Sequence, residues 1–469
     1  MASIYESLKQ DLKAGKVIVP GDADYEDSIK RWSASCVQRT AAVIKPTSAE
    51  EVSTAIRWAN SHALPFTVCG GGHSTSGQSS KGPEGVVVDL SLMRAVTVDP
   101  AAQTITYGGG CLWADVDAAA ARHGLATPGG TVNHTGVGGL VLGGGFGFLS
   151  PRHGLTIDVL LEAEAVLADG TVVTASETEN PDLFWALRGA GTSFAAVTRF
   201  TSRAFPQRDV WAGVLVFSPE QLEGVVAGAN EVLAAQDGGQ AMLLAFGYSP
   251  PGPGGERGRA IVAQVFHNGS AAEGEERYAP LLRVGPHVNT AAAIPYAAVN
   301  GLANGGVPHG GRYQFGAANV TYPVDAGVVA DAAAAWWGGI ERLSAGGEDL
   351  RGSIIGYELF PSDVARGVPA SATAFANRGR YFNVAVLMSW RDARSDAAVR
   401  AFKQEVAGMI RRRGFSGDEV GGEGVGQYNN YLDGSISAEG AFGANAARLR
   451  ELKRRYDPEN RFDKLWKLA

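Results

Sequence analysis

No apolar run in the chain is long enough to cross a membrane. The first fifteen residues, MASIYESLKQDLKAG, are polar and helix-like and lack the apolar core that a secretion signal needs. Excess positive charge is missing as well. The 41 Lys and Arg are outnumbered by 48 Asp and Glu, a formal net charge of −7, so no basic surface argues for nucleic acid. One local exception, residues 448–467, carries eight basic and four acidic residues and reads as a solvated helix of mixed charge. Cysteine is scarce: Cys36, Cys69 and Cys111 cannot all pair with one another, and their spacing matches no metal motif. They suit a reducing compartment without demanding one. Sequons at Asn133, Asn268 and Asn319 weigh little, since chance matches are common and the first lies in a Gly-rich motif. The chain is therefore expected to be cytoplasmic, provided no leader has been removed, with no metal, membrane or nucleic-acid partner. Oligomeric state is not legible.

What is present is ordinary soluble composition: 469 residues, 45% hydrophobic and 19% charged. That length predicts two or three domains, enough for a large core and an enclosed pocket. Residues 47–205 alternate helix and strand. Ser48 and Glu51 form a capping-box pattern ahead of a helix with Val52, Ala55, Ile56 and Ala59 on its apolar face. Pro65 stops that helix, and 66-FTVC-69 follows as a buried strand. Further strands are read at 85–93, 95–99 and 104–110, then a helix ending near Gly124. A hairpin covers 159–175 with Asp169-Gly170 at its turn, and a short helix covers 181–189. From about 206 the texture changes. Strands at 211–217, 241–249, 260–267, 353–360 and 381–390 are separated by helices such as 324–343 and 396–413. Long strands with helices stacked to one side predict an α+β unit on an antiparallel sheet. The run 249-SPPGPGGERG-258 reads as a hairpin loop, and no internal repeat is found.

Glycine is concentrated in two places. In 66-FTVCGGGHSTSG-77 a strand runs into three glycines and then a histidine; such a loop lets backbone approach something flat or charged and holds the histidine outward. In 136-GVGGLVLGGGFG-147 seven of twelve residues are glycine, a pattern that points backbone N–H groups at an anion. Neither is a phosphate loop of the Gly-Lys-Ser/Thr type. Gly143-x-Gly145-x-x-Phe148 also breaks the last position of the dinucleotide fingerprint, which argues against a Rossmann NAD site. Two such loops and a loop histidine suit a large diphosphate cofactor with an aromatic ring. An imidazole beside a flavin's benzenoid methyl can bond to that carbon, which anchors the ring and raises its tendency to accept hydride.

Four blocks then carry a specific resemblance: 70-GGGHS-74, 136-GVGGLVLGGGFGFLSPRHGLTID-158, 180-NPDLFWALRGAGTSFAAVTRF-200, and 426-GQYNNYLD-433 with 448-RLRELKRRYDPENRF-462. In order and spacing they resemble the FAD-linked oxidases of the vanillyl-alcohol oxidase superfamily, most closely the berberine bridge enzyme-like branch. The resemblance implies an α+β fold with a two-part FAD-binding domain of the PCMH type over 1–205 (core about 36–205). It also implies a substrate-binding domain over 206–424, an antiparallel sheet backed by helices, and a C-terminal segment, 425–469, returning to the FAD domain. It implies that His73 bonds to the flavin 8α carbon and that Gly70, Gly71, Gly72 and Ser74 line the pyrophosphate. Gly138, Gly139, Gly143, Gly147, Asp158 and Val197 would surround the flavin, its ribityl chain and adenosine.

Two departures from the family pattern matter. Relatives with a second tether have a cysteine in the loop before the second glycine cluster, where 130-GTVNHTGVGG-139 has Val132. Valine forms no thioether, so FAD is expected to be attached through His73 only. Cys69 stands where relatives often carry arginine and reads as a small buried residue closing a strand. Thr135, at the position thought to gate oxygen, matches valine in volume and so favours oxygen as electron acceptor. His134 beside it faces either the flavin or bulk water.

Tyr428 and Asn430 match the family's Tyr-x-Asn-Tyr element, Asn430 counting among the cofactor contacts. Tyr428 is the expected base for a substrate hydroxyl, which requires its pKa to be brought down from about 10 by a nearby cation or strong donor. Arg378, in 373-TAFANRG-379, is one candidate for that cation, although Asn377 replaces the histidine common before it. Glu358, on a substrate-domain strand, is the second candidate base. Tyr248, Gln264, His267, Tyr296 and Tyr357 are candidate substrate contacts. The expected reaction takes hydride from a CH–OH or CH–NH group of a small organic molecule to covalently bound FAD, with O2 reoxidising it to give H2O2. Two alternatives stay open: a dehydrogenase of the same fold with another acceptor, and a non-catalytic flavin or ligand carrier.

Overall fold

Ser48 opens the helix Ala49–Ser61, its hydroxyl accepting from Glu51 N at 3.3 Å. The capping box closes differently from the expected pattern. Glu51 sends its carboxylate to Thr47 N at 2.7 Å, one residue before the cap, and to the amides of Ala14 and Gly15 at 2.8 and 3.1 Å. The helix start thus holds the N-terminal segment against the first sheet. The computed structural model describes residues 2–250, 256–414, 426–432, 434, 436–463, 466 and 468.

That sheet has four strands in the order Lys16–Ile18, Ala42–Lys45, Val86–Asp89, Phe66–Cys69, the last three parallel. All four residues of Val86–Asp89 are buried, as expected of a parallel strand covered on both faces. A second, antiparallel sheet runs Val96–Asp99, Thr104–Gly108, Ala196–Arg203, Leu160–Val166, Val172–Ser176. Its last two strands form the hairpin expected over 159–175, and Gly170 at the turn has φ +82°, a conformation glycine adopts freely. Phe205–Pro206 spans the expected 205/206 boundary and pairs back with Leu125–Ala126.

The largest sheet is antiparallel throughout, in the order Val288–Asn289, Val210–Phe217, Arg259–His267, Gln240–Tyr248, Ile354–Leu359, Tyr381–Trp390, Arg312–Thr321. Ala292–Ile294 also pairs with Val210–Phe217. Each half is a strand, a helix and a hairpin. Val210–Phe217 leads through Leu222–Ala234 to Gln240–Tyr248 and Arg259–His267; Arg312–Thr321 leads through Ala326–Ser344 to Ile354–Leu359 and Tyr381–Trp390. The halves join where Gln240–Tyr248 pairs with Ile354–Leu359. The topology therefore repeats where the sequence does not.

Side chains alternate across this sheet. The row Ala263, Leu244, Tyr357, Val384, Ala318 enters the core shared with the helices Leu222–Ala234, Ala326–Ser344 and Asp396–Gly414. The adjacent row, Gln264, Leu243, Glu358, Asn383, Asn319, points the other way. On that face Glu358 accepts from Tyr431 and Asn383 accepts from Asn377, so it is turned toward the C-terminal element and the 373–379 segment. A separate core, containing Trp113, Val141, Phe184, Phe200, Phe266, Phe375, Phe442 and Leu449, joins the second sheet to part of the large sheet and to the C-terminal segment. The 424/425 boundary lies outside the described residues, as do 251–255 of the expected hairpin loop, Asp433, Lys464 and Lys467. The ends of that loop do meet, Ser249 N donating to Gly258 O at 2.8 Å. Among the described residues no helix is long and apolar enough to cross a membrane.

Candidate active site

The two glycine loops meet back to back. A Cβ on Gly71 would lie 2.5 Å from Gly136 Cα, so the contact is possible only because both residues lack side chains. Gly72, at φ +66°, then turns the chain and delivers His73 into a cleft. Gly70, Gly71, Gly72, His73, Ser74, Val132, Thr135, Gly138, Gly139, Gly143, Val197, Tyr428 and Asn430 all line this one cleft. Ser74 spends its hydroxyl on the loop, accepting from the amides of Ser76 and Gln78.

His73 is fixed on two sides. Its Nε2 lies 2.8 Å from Nδ1 of His134, and its ring stacks on Trp32 with centroids 4.3 Å apart and planes 9° from parallel. Burial, then the neighbouring His134 and His309, hold the His73 pKa well below that of a free imidazole. A neutral ring with a lone pair is the form a nucleophile needs. His134, expected to face either the flavin or bulk water, meets His73 instead.

A second cluster stands across the cleft. Asn430 donates from Nδ2 to the Tyr428 oxygen at 2.8 Å and to Leu140 O at 3.1 Å. Burial nevertheless pushes the Tyr428 phenol far up, against the downward pull of Asn430 and of the Gly145 and Phe146 backbone. Tyr431 packs edge-on to Tyr428 at 4.8 Å and donates from its hydroxyl to Glu358 Oε1 at 2.5 Å. Glu358 is 5% exposed, its Oε2 has no partner, and burial raises its carboxyl to about 8 despite the Tyr431 bond. Between these two groups, Glu358 is the one that titrates near neutrality.

Several expectations are corrected. Gly147 is absent from the cleft wall: a Cβ there would lie 2.2 Å from Gly129 O, so it packs loop against loop. Asp158 and Arg378 form a buried pair, with Nη2–Oδ1 at 2.6 Å and Nη1–Oδ2 at 3.1 Å, and Asp158 also accepts from Leu155 N. Asp158 is therefore committed to a clasp and away from the cleft wall. The Arg378 Nη atoms also donate to Ala365 O and Thr373 Oγ1, its Nε is buried without a partner, and it is not among the groups acting on Tyr428. With Glu358 it lines a neighbouring smaller cavity, and Phe146 is common to both walls. Asn377, at the position of the missing histidine, donates to Asn383 Oδ1 and accepts from Tyr381 and Gln427 N.

Tyr248, Gln264, His267, Tyr296 and Tyr357 do not line the cleft. Tyr357 fails by alternation, facing the helices while its neighbour Glu358 faces inward. Sequence reasoning missed Trp32, Val307, His309, Phe315 and Tyr431. Only Tyr431 had a signal, its place in the Tyr-x-Asn-Tyr element. Phe315 stacks on Tyr431 at 4.5 Å, and His309 brings its ring to 4.8 Å from His134. Among the described residues no cluster of His, Cys, Asp and Glu is placed to hold a metal.

These residues fit a flavin dinucleotide. A Cβ on Gly139 would meet nothing within 4 Å and would project from an exposed, cleft-lining position, so bare backbone is offered to whatever lies there. Residues 40–176 match the FAD binding domain family, and 427–464 match the berberine and berberine-like family. FAD-linked oxidoreductase pgmH of Aspergillus terreus is 34% identical, the match covering 97% of this chain and 93% of that protein. The crystal structure of 6-hydroxy-D-nicotine oxidase from Arthrobacter nicotinovorans is similar with a TM-score of 0.80 at 26% identity, over 96% of both chains. Physcomitrella patens BBE-like 1 shares the fold at a TM-score of 0.83 and 21% identity, over 99% of both chains. With both domain families matched in order around this cleft, the chain belongs to the berberine bridge enzyme-like branch of the vanillyl-alcohol oxidase superfamily, as an FAD-linked oxidoreductase.

Proposed function

We propose that the chain is an oxidase that holds FAD covalently through His73 alone and oxidises a CH–OH or CH–NH group of a small organic substrate. The bound flavin would accept hydride and return two electrons to dioxygen, giving H2O2. The observation that carries this reading is the neutral His73 ring, held by His134 at Nε2 and by Trp32 at its face, in a cleft that also receives Tyr428 and Tyr431. Gly70 to Ser74, with Gly138, Gly139 and Gly143, would hold the cofactor. Val132, in the same wall, offers no sulfur for a second bond.

The chain's own part is to orient the substrate and take its proton. Tyr431 reaches the cleft with a hydroxyl already bonded to Glu358, so a proton received at Tyr431 has an acceptor at Glu358 Oε1. Glu358 is thus the base in this reading, Tyr431 its contact with substrate, and Tyr428 with Asn430 a positioning pair. Thr135, in the cleft wall with the volume of valine, leaves room for dioxygen.

Acid precipitation of the purified protein tests the tether. Flavin colour should stay with the wild-type pellet and leave with that of His73→Ala; colour lost from the wild type ends this reading. Anaerobic bleaching by a panel of alcohols, sugars and amines, followed by air, tests the oxidase. Rapid reoxidation with peroxide supports it, and slow decay favours a dehydrogenase with another acceptor. The 6-hydroxy-D-nicotine oxidase likeness makes amines the first class to try.

A further inference from the structure

Substrate oxidation gives no reason for a second imidazole behind His73, yet His134 is held there by its own contacts. His134 lies on the loop that also carries Val132 and Thr135, anchored where Asn133 N donates to Asn300 O at 2.8 Å and Asn304 Nδ2 donates to Asn133 Oδ1 at 2.7 Å. His134 Nδ1 faces His73 Nε2 at 2.8 Å, and its own Nε2 is buried without a hydrogen-bond partner. The Val307 carbonyl accepts from Trp32 Nε1 at 2.8 Å and also faces His134, whose pKa burial and then His309 hold below that of a free imidazole despite the pull of that carbonyl. Trp32 therefore fixes the plane of the His73 ring, and His134 fixes the rotation within that plane.

A neutral imidazole carries one proton, and its place decides which nitrogen is a nucleophile. With the proton on His73 Nε2, donated to His134, the lone pair is on Nδ1, which makes no hydrogen bond among the described residues. With the proton on Nδ1 instead, the remaining lone pair points at His134 and is spent there. Only the first arrangement leaves a nitrogen ready to bond.

We propose that His134 is a positioning residue for flavin attachment: it accepts the Nε2 proton of His73, so that Nδ1 forms the bond to the methyl carbon at flavin position 8. This rests on the reading that His73 is the tether. The new bond is Nδ1–C; the methyl carbon gives up one proton, and His73 gives up its Nε2 proton to His134 and thence to solvent. The two electrons released pass through the flavin ring to dioxygen, which takes up both protons as H2O2. No other co-reactant is needed.

The test follows acid-stable flavin against total flavin in purified His134→Leu, His134→Gln, His73→Ala and wild-type protein, with the linked nitrogen assigned by NMR on the flavinyl peptide. His134→Leu should bind flavin but attach it about tenfold more slowly or worse, in line with loss of a positioned proton acceptor. His134→Gln, whose Oε1 accepts a hydrogen bond, should recover most of the attachment, a rescue that a packing role would not give. The proposal fails if His134→Leu attaches flavin as fast and as fully as wild type, or if the bond is on Nε2. Should His134→Leu hold no flavin at all, His134→Gln decides: bound but unlinked flavin there overturns the proposal. Attachment surviving in His73→Ala overturns instead the tether itself.

Discussion

The Tyr431 hydroxyl meets Glu358 Oε1 at 2.5 Å, joining a residue of the C-terminal element to one on the central pairing of the large sheet. Two parts of the chain that are 73 residues apart thus meet through one short hydrogen bond where Tyr431 lines the cleft. Burial keeps that carboxyl protonated at neutral pH, while the alternation of its strand sends Tyr357 to the opposite face.

Activity should therefore rise with pH through about 8. A base works in its deprotonated form, and the Glu358 carboxyl, raised from 4.5 to about 8, reaches that form only above this pH. kcat/KM is the quantity to follow, because it reports ionisations of the free enzyme. Glu358→Gln should lower it by about 10²–10⁴-fold and flatten the profile. A wild-type profile already flat between pH 6 and 9 would remove Glu358 from the role.

Gly143 should behave as part of the Tyr428 site although it has no side chain. A Cβ there would fall 2.1 Å from Asn430 Oδ1, displacing the amide that donates to Tyr428. Gly143→Ala and Asn430→Ala should each slow turnover by about tenfold, a loss of roughly 1–2 kcal/mol typical of one hydrogen bond. The double variant should be little slower than either single, since both remove the same contact. Losses that add would show Gly143 acting through something else.

What could be read in advance was contiguous. The Gly-Gly-Gly-His turn, the second glycine run and the Tyr-x-Asn-Tyr element are short motifs whose steric needs are written in neighbouring residues. Trp32, Val307 and Phe315 reach the same cleft from distant segments, His309 stands behind it against His134, and none carries a motif, so only the fold brings them together. Arg312–Thr321 was missed as a strand because 312-RYQFGAANVT-321 has Gly, two Ala and Asn at its centre, poor residues for a pleated surface. Gly316 is small there for a reason: the Lys403 side chain lies 3.0 Å from where its Cβ would be. Asp158 was expected beside the cofactor because its motif lies next to the glycine run in sequence; only the fold shows that Arg378, 220 residues away, claims its carboxylate.

Glu51 should make stability fall with acid. Burial alone would raise its carboxyl, but the donors at Ala14, Thr47 and Gly15 outweigh burial and bring it from 4.5 to about 2. A group lowered on folding stabilises above its unfolded pKa and loses that contribution as pH falls through its folded one. Here the window runs from about 4.5 down to about 2, and the contribution at neutral pH is on the order of 3 kcal/mol. Urea unfolding of Glu51→Gln should show that deficit at pH 7 and almost none near pH 2. An equal deficit at both would mean that the charge is irrelevant.

The buried Lys453–Asp457 pair should govern whether the C-terminal segment stays docked. Lys453 Nζ donates to Asp457 Oδ2 at 2.7 Å, to Ser193 O at 2.7 Å and to Phe462 O at 3.0 Å, so one ammonium ties the helix Ala446–Tyr456 to the FAD-binding region and to the chain beyond. Both side chains are almost fully buried. Removing one partner leaves an uncompensated charge with no water to receive it, a loss of about 3–5 kcal/mol. Lys453→Met should show that loss in urea or thermal unfolding. In Lys453→Met the remaining Asp457 carboxylate keeps donors at the Arg461 and Phe462 amides, at 2.7 and 2.8 Å, whereas Asp457→Asn leaves the ammonium with carbonyls alone and turns an amide N–H toward one of those donors, so Asp457→Asn should cost more than Lys453→Met. Lys453→Met combined with Asp457→Asn should recover part of the stability, because the double variant buries no lone charge. A double variant as unstable as the sum of its singles would make the carbonyls of Ser193 and Phe462, rather than the ion pair, the contacts that hold the segment.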